Sequence, residues 1–176
     1  MPRLNTIDPT SATGRVKEIF DGPLKGKHLN IFKAMGNSPA VLDAYLGLSG
    51  ALAGASLTAQ EREAIQLAVG QANGCDYCTA AHTGLGQAAG LTREQTIGAR
   101  RGSLDDPKLD ALVKFALALE EKKGWVSDED LQRVRNAGYD DARIAETVAT
   151  YALAVFTNYF NHVNQTPVDL PPAPAI

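Results

Sequence analysis

Residues 57–82 read LTAQEREAIQLAVGQANGCDYCTAAH, and this stretch decides the fold. Thr58 followed three residues later by Glu61 is a reciprocal cap: the hydroxyl takes a first-turn amide hydrogen, and the carboxylate reaches back to the amide of Thr58. The spacing predicts a helix from there through about Ala72, closed by Asn73-Gly74. A second helix begins at Cys75 and runs to about Ala89, with Gly90 after it. Helices joined by so short a turn fold back on each other as a hairpin.

The same punctuation extends in both directions. Thr13 to Phe20 forms a short helix broken by Asp21-Gly22-Pro23, and Asn30 to Met35 supplies another turn or two. Ser38-Pro39 opens a helix to about Leu52, because proline suits the first helical position. Thr92 with Gln95 repeats the capping box. Asp106-Pro107 starts a helix that Gly124 ends, and Ser127 caps one that stops near Gly138. The last helix spans about Asp141 to Asn164, with Ile144, Val148, Tyr151, Val155 and Tyr159 at helical spacing. Strand signals are almost absent. The expectation is an all-α, compact multi-helix bundle: a single domain over residues 1–176 with terminal arms at about 1–12 and 166–176. The apolar final helix is a candidate subunit interface.

Composition narrows the function. The chain has 176 residues, 44% hydrophobic and 21% charged, enough for one real core. No segment has the apolar run needed to cross a bilayer, and polar residues interrupt Met1 to Thr10 where a secretory signal would lie. A net charge of -3 with mixed signs gives no basic field for a phosphate backbone, so no nucleic acid and no membrane partner is expected. Localisation reads as cytoplasmic, where idle cysteines stay reduced and a close pair points to catalysis or metal binding.

The only two cysteines stand in Cys75-Asp76-Tyr77-Cys78-Thr79-Ala80-Ala81-His82. Positions 75, 78 and 82 share one helical face, and Cα atoms three apart lie roughly 5 Å from each other, inside the disulfide window. The reactive form is the thiolate, and two features favour it: free amides in the first helical turn for Cys75, and the His82 imidazole for Cys78. Spacing alone leaves open which sulfur attacks. Glu63 lies about ten residues, roughly 15 Å, before the hairpin turn, and His82 about eight, roughly 12 Å, after it. The two stand nearly level, so the carboxylate can orient the imidazole in a Cys, His, Glu relay. Rival readings are a buried structural pair, a zinc site of Cys75, Cys78, His82 and Glu63, and a redox-sensing module without catalysis. His162, beside Asn158 and Asn161, is a possible auxiliary group; His28 reads as exposed, and Trp125 as packed on a helix end.

The stretch from Leu57 to His82, with Arg62-Glu63, Asn73-Gly74-Cys75-Asp76-Tyr77-Cys78 and His82, resembles the alkylhydroperoxidase (AhpD-like) branch of the carboxymuconolactone decarboxylase family. Asn37-Ser38-Pro39 and the ending Phe160-Asn161-His162 through Asp169-Leu170-Pro171 are similar to its peroxidase-related members. The resemblance implies an AhpD-like helical fold assembled as a homo-oligomer, a trimer or hexamer. It implies thiol-dependent reduction of organic hydroperoxides or hydrogen peroxide with no metal and no organic cofactor. Cys78 then attacks the peroxide, Cys75 resolves the sulfenic acid to a disulfide, and His82 and Glu63 move protons. An external dithiol, lipoyl- or thioredoxin-type, reopens the bridge. Tyr77 stands where the family pattern has a histidine; it can donate a hydrogen bond, but an ordinary pKa of about 10 makes it a poor base. The paired cysteines set the chain apart from the decarboxylase-type members.

Overall fold

The computed structural model describes residues 1–176 as nine α-helices with no strand. They are α1 (Gly14–Asp21), α2 (Asn30–Met35), α3 (Pro39–Ala53), α4 (Ala59–Ala72), α5 (Asp76–Ala88), α6 (Arg93–Arg101), α7 (Pro107–Glu121), α8 (Asp128–Asn136) and α9 (Asp141–Asn164). Reciprocal capping boxes open α4 at Thr58, α6 at Thr92 and α8 at Ser127, while Asp106 and Asp140 cap α7 and α9. Each cap satisfies amides that the first turn leaves without an intrahelical acceptor.

The turn between α4 and α5 is where the sequence acts most locally. Gly74 has φ +67, and around it Cys75 N–H donates to Gly70 O at 2.8 Å while Gly74 N–H donates to Gln71 O at 3.0 Å. These two bonds satisfy the carbonyls of Gly70 and Gln71 in the last turn of α4 and turn the chain through a left-handed residue. Cys75 therefore ends one helix and caps the next: it is the N-cap of α5, not its first helical residue, and its Sγ accepts from Cys78 N at 3.3 Å. The two cysteines share a site as cap and third helical residue, not as two points on one helical face.

Helix α4 lies at the centre. It is buried continuously from Ala64 to Gly70 and packs against α5, α6, α7 and α9. One core forms around Ile65, Leu67, Val69, Leu112, Val113 and Tyr139. A second gathers Ile19, Phe20, Phe32, Met35 and Leu42 with Cys75, Tyr77 and Cys78. Each such buried apolar side chain contributes about 1.5–3 kcal/mol. Small residues let α4 and α5 approach: a Cβ at Gly70 would sit 3.4 Å from Cys78 Cβ, and one at Gly86 would sit 3.6 Å from Glu63 Cβ.

Two expectations need correction. Trp125 does not pack on a helix end; it is 87% exposed. On α9 the fully buried stripe is Thr147, Thr150, Ala154 and Asn158, whereas Val148 and Tyr159 of the expected apolar row are exposed. Ile144, Tyr151 and Val155 of that row pack on the first core. The chain ends fold onto the body: Leu4 N donates to Asn164 Oδ1, and Asn30 N donates to Asp169 Oδ2, both at 2.9 Å. No helix is long and apolar enough to cross a membrane.

Candidate active site

The sulfurs of Cys75 and Cys78 are bonded as a disulfide, with Cα atoms 5.3 Å apart. Both residues are buried, yet only Cys78 lines the adjoining cavity of about 160 Å³. Cys75 lies behind it at the helix cap. The cavity has an apolar wall of Leu29, Ile31, Phe32, Leu52, Leu85 and Leu153. Glu63, Gln66, His82 and Asn161 add polar groups to the same cavity.

The α4–α5 hairpin brings Glu63 level with His82, and Glu63 Oε2 lies 2.7 Å from His82 Nδ1. With the carboxylate ionised, that contact places a hydrogen on Nδ1 and leaves Nε2 as the nitrogen with a lone pair. With the disulfide opened, a thiol, an imidazole lining the same cavity and a carboxylate bonded to that imidazole would stand together, a grouping that nucleophilic catalysis can use. No three His, Cys, Asp or Glu side chains are grouped to hold a metal ion.

Tyr77 lines the cavity, but its hydroxyl proton is committed elsewhere. The O–H donates to Asp169 Oδ1 at 2.7 Å, and the oxygen accepts from Ile31 N at 3.4 Å. Burial, and then the bond to Asp169, push the Tyr77 pKa well above its ordinary value, so the phenol stays neutral. Burial likewise raises the pKa of Tyr45, which lines the same cavity. Tyr77 thus ties the C-terminal arm to α5, and its proton is not free to serve the sulfurs. His162 is not brought to the cluster at all. It is exposed and stacks on Tyr159 with ring centroids 6.2 Å apart.

The neighbour of His162 is there instead. Asn161 is buried, and its Nδ2 lies 3.3 Å from Cys78 Sγ and 4.0 Å from Cys75 Sγ. Asn161 and Asp169 are the two polar contacts of the cluster that sequence reasoning missed as site members. The buried asparagines at 158, 161 and 164, three residues apart in the last turns of α9, were the available signal.

Residues 39–121, the span from α3 through α7, match the carboxymuconolactone decarboxylase family model. Over that segment, a little under half of the chain, the protein is similar to the carboxymuconolactone decarboxylase family. Among curated proteins no sequence matches it. Solved structures share the fold over nearly the whole chain. A peroxidase-related protein from Ralstonia eutropha JMP134, described as an alkylhydroperoxidase AhpD core, superimposes with a TM-score of 0.83 at 21% identity, covering 96% of this chain and 92% of that one. A peroxidase-related protein from Silicibacter sp. TM1040 gives 0.77 at 20% identity over 97% and 90%. The debrominase Bmp8, in complex with 2,3,4-tribromopyrrole, gives 0.81 at 18% identity over 96% and 92%. At such identities the likeness establishes the AhpD-like fold. The segment that matches the family model holds Cys75, Cys78, His82 and Glu63, while Asn161 and Asp169 come from beyond it.

Proposed function

We propose that this protein is a thiol-dependent peroxidase that reduces organic hydroperoxides or hydrogen peroxide by cycling Cys75 and Cys78 between dithiol and disulfide. The observation that carries the reading is the asymmetry of the pair: the Cys78 side chain faces a cavity shared with His82, and Cys75 stands behind it within bonding distance. In the reduced protein His82 takes the Cys78 proton, and the thiolate attacks one peroxide oxygen. The S–O bond forms as the O–O bond breaks, and the departing alkoxide or hydroxide takes the proton from His82. Cys75 then attacks the Cys78 sulfenic acid, water leaves, and the disulfide closes with two electrons passed to the peroxide. Glu63 positions the imidazole throughout. An external dithiol of lipoyl or thioredoxin type reopens the bridge by exchange. The reading includes work in the cytoplasm and as a homo-oligomer, for which exposed Val148, Tyr159 and Val163 on α9 offer an apolar face.

The likeness to Bmp8 supports a second reading, in which the same thiolate attacks the halogen of a haloaromatic ring. There the dithiol supplies two electrons, bromide leaves and hydrogen replaces it. Consumption of peroxide and of tribromopyrrole, each with lipoyl and thioredoxin-type donors, tests the two together. The peroxidase reading predicts multiple turnovers with peroxide, none in Cys78→Ser, and a single attack stalled at the sulfenic acid in Cys75→Ser. Multiple turnover retained by Cys78→Ser would overturn it, and turnover of the bromopyrrole alone would move the assignment to the second reading.

A further inference from the structure

Helix α9 delivers one polar side chain to the sulfurs, and that side chain is uncharged. Asn161 Nδ2 lies within hydrogen-bond reach of Cys78 Sγ, and its Oδ1 is buried without a partner. The contact with sulfur is the only hydrogen bonding the side-chain amide has. Its two buried neighbours on the helix are used differently. Asn158 Oδ1 accepts from Asn73 at 3.0 Å, tying α9 to the hairpin turn. Asn164 accepts from Leu4 N and donates to Thr166, both at 2.9 Å, securing the chain ends. An asparagine kept in the interior for a contact with sulfur, at the expense of an unsatisfied carbonyl, is a poor device for stability. A residue retained against that cost points to chemistry.

We propose that Asn161 is a further catalytic residue, whose side-chain N–H donates to the Cys78 sulfur and stabilises it as the attacking thiolate. Against the neutral disulfide such a bond is weak; against a thiolate it becomes charge-assisted and roughly twice as strong. The contact therefore strengthens when the bridge opens, where stabilisation counts. The two sulfurs are served separately: Cys75 Sγ accepts the Cys78 backbone N–H as helix cap, and Cys78 Sγ accepts from Asn161 at 3.3 Å. The charged and titratable groups of the cavity are Tyr45 from α3, Arg62 and Glu63 from α4, Tyr77 and His82 from α5, with Cys75 behind them. The segment Leu29 to Phe32 and the cavity residues of α9 add none. Tyr77 is bonded to Asp169, Glu63 to His82, and Arg62 to Leu57 O. Besides the Cys78 backbone amide, Asn161 is the one hydrogen-bond donor on the pair.

The inference rests on Cys78 being the attacking thiol, but its test needs no peroxide. In a Cys75→Ser background, where Cys78 is the single thiol, the alkylation rate with iodoacetamide is followed against pH. Asn161→Leu removes the donor at similar volume, and Asn161→Asp keeps the shape while placing an acceptor against the sulfur. The pH of half-maximal alkylation is expected to rise by about 1 in Asn161→Leu, a roughly tenfold loss of thiolate at a fixed lower pH, and by more in Asn161→Asp. Asn161→Ser, which restores a small donor, should return part of the rate. Helical circular dichroism selects the variants that fold, and Asn161→Asp or Asn161→Ser carries the test if Asn161→Leu does not. Folded variants with the parental pH midpoint would overturn the proposal, even if the protein reduces peroxides. A shifted midpoint in a protein that consumes no peroxide would uphold Asn161 and refute the peroxidase reading.

Discussion

Replacing Glu63 by glutamine isolates the contribution of the carboxylate to the base. Glu63 Oε2 lies 2.7 Å from His82 Nδ1, and the two side chains are 18% and 17% exposed, so solvent only partly screens them. Hydrogen bonds to charged groups contribute about 1.5–3 kcal/mol, and the residual exposure places this one toward the lower end, about 1.5–2 kcal/mol. Glutamine fills the same volume beside Gly86, so packing is kept, while the charge that stabilises a protonated ring is lost. At 1.36 kcal/mol for each factor of ten, peroxide attack should slow by about 10- to 30-fold. The assay is single-turnover loss of thiols in reduced protein mixed with excess cumene hydroperoxide and quenched in acid. Thermal unfolding serves as the control for structure. A Glu63→Gln rate within about twofold of the parent, alongside a much slower His82→Gln, would refute a role for the carboxylate in supporting the base.

Other perturbations test the scaffold. Gly74 has φ +67 with nothing near its missing Cβ, so Gly74→Ala should cost about 1–2 kcal/mol from backbone strain alone, read as a lower urea midpoint with unchanged slope. Burial works against ionisation of Glu61, but bonds from Thr58 and Tyr139 and the charge of Lys108 outweigh it and hold its pKa below the ordinary 4.5. The folded state therefore favours ionised Glu61: its contribution is complete above that ordinary value and fades as pH falls through the depressed one. The stability gap between parent and Glu61→Gln, measured by urea unfolding, should accordingly narrow between about pH 5 and pH 3. Asp169→Ala removes the acceptor of both Tyr77 O–H and Asn30 N–H, which should speed hydrogen exchange at Asn30. The same change should lower the Tyr77 titration midpoint in ultraviolet difference spectra while burial keeps it above the ordinary 10.0.

What the sequence disclosed and what it withheld divide along physical lines. Helix ends are set by groups a few residues apart, so Thr58 with Glu61, Thr92 with Gln95 and Gly74 after Asn73 announce themselves. The juxtaposition of Glu63 and His82 was legible for a related reason: a tight turn and a fixed rise per residue leave little freedom in a hairpin. Asn161 and Asp169 reach the cluster from more than eighty residues away, and no local signal fixes how α9 rotates about its own axis. The apolar row from Ile144 to Tyr159 suggested one face; packing fully buries Thr147, Thr150, Ala154 and Asn158, keeps Ile144, Tyr151 and Val155 at the edge of the core, and leaves Val148 and Tyr159 exposed. One residue along a helix is about 100° of rotation, which separates Asn161 at the sulfurs from His162 in solvent. Trp125 shows the converse error, since a large apolar side chain after a helix stop carries no instruction to be buried, and here it is not.

The central claim is that Cys78 meets the oxidant first and Cys75 follows. The most direct measurement treats reduced Cys75→Ser and reduced Cys78→Ser with one equivalent of hydroperoxide in the presence of dimedone, then maps the adduct by peptide mass spectrometry. The account predicts a dimedone adduct on Cys78 in the first protein and an unmodified Cys75 in the second. An adduct on Cys75 with none on Cys78, or no adduct on either, would contradict it.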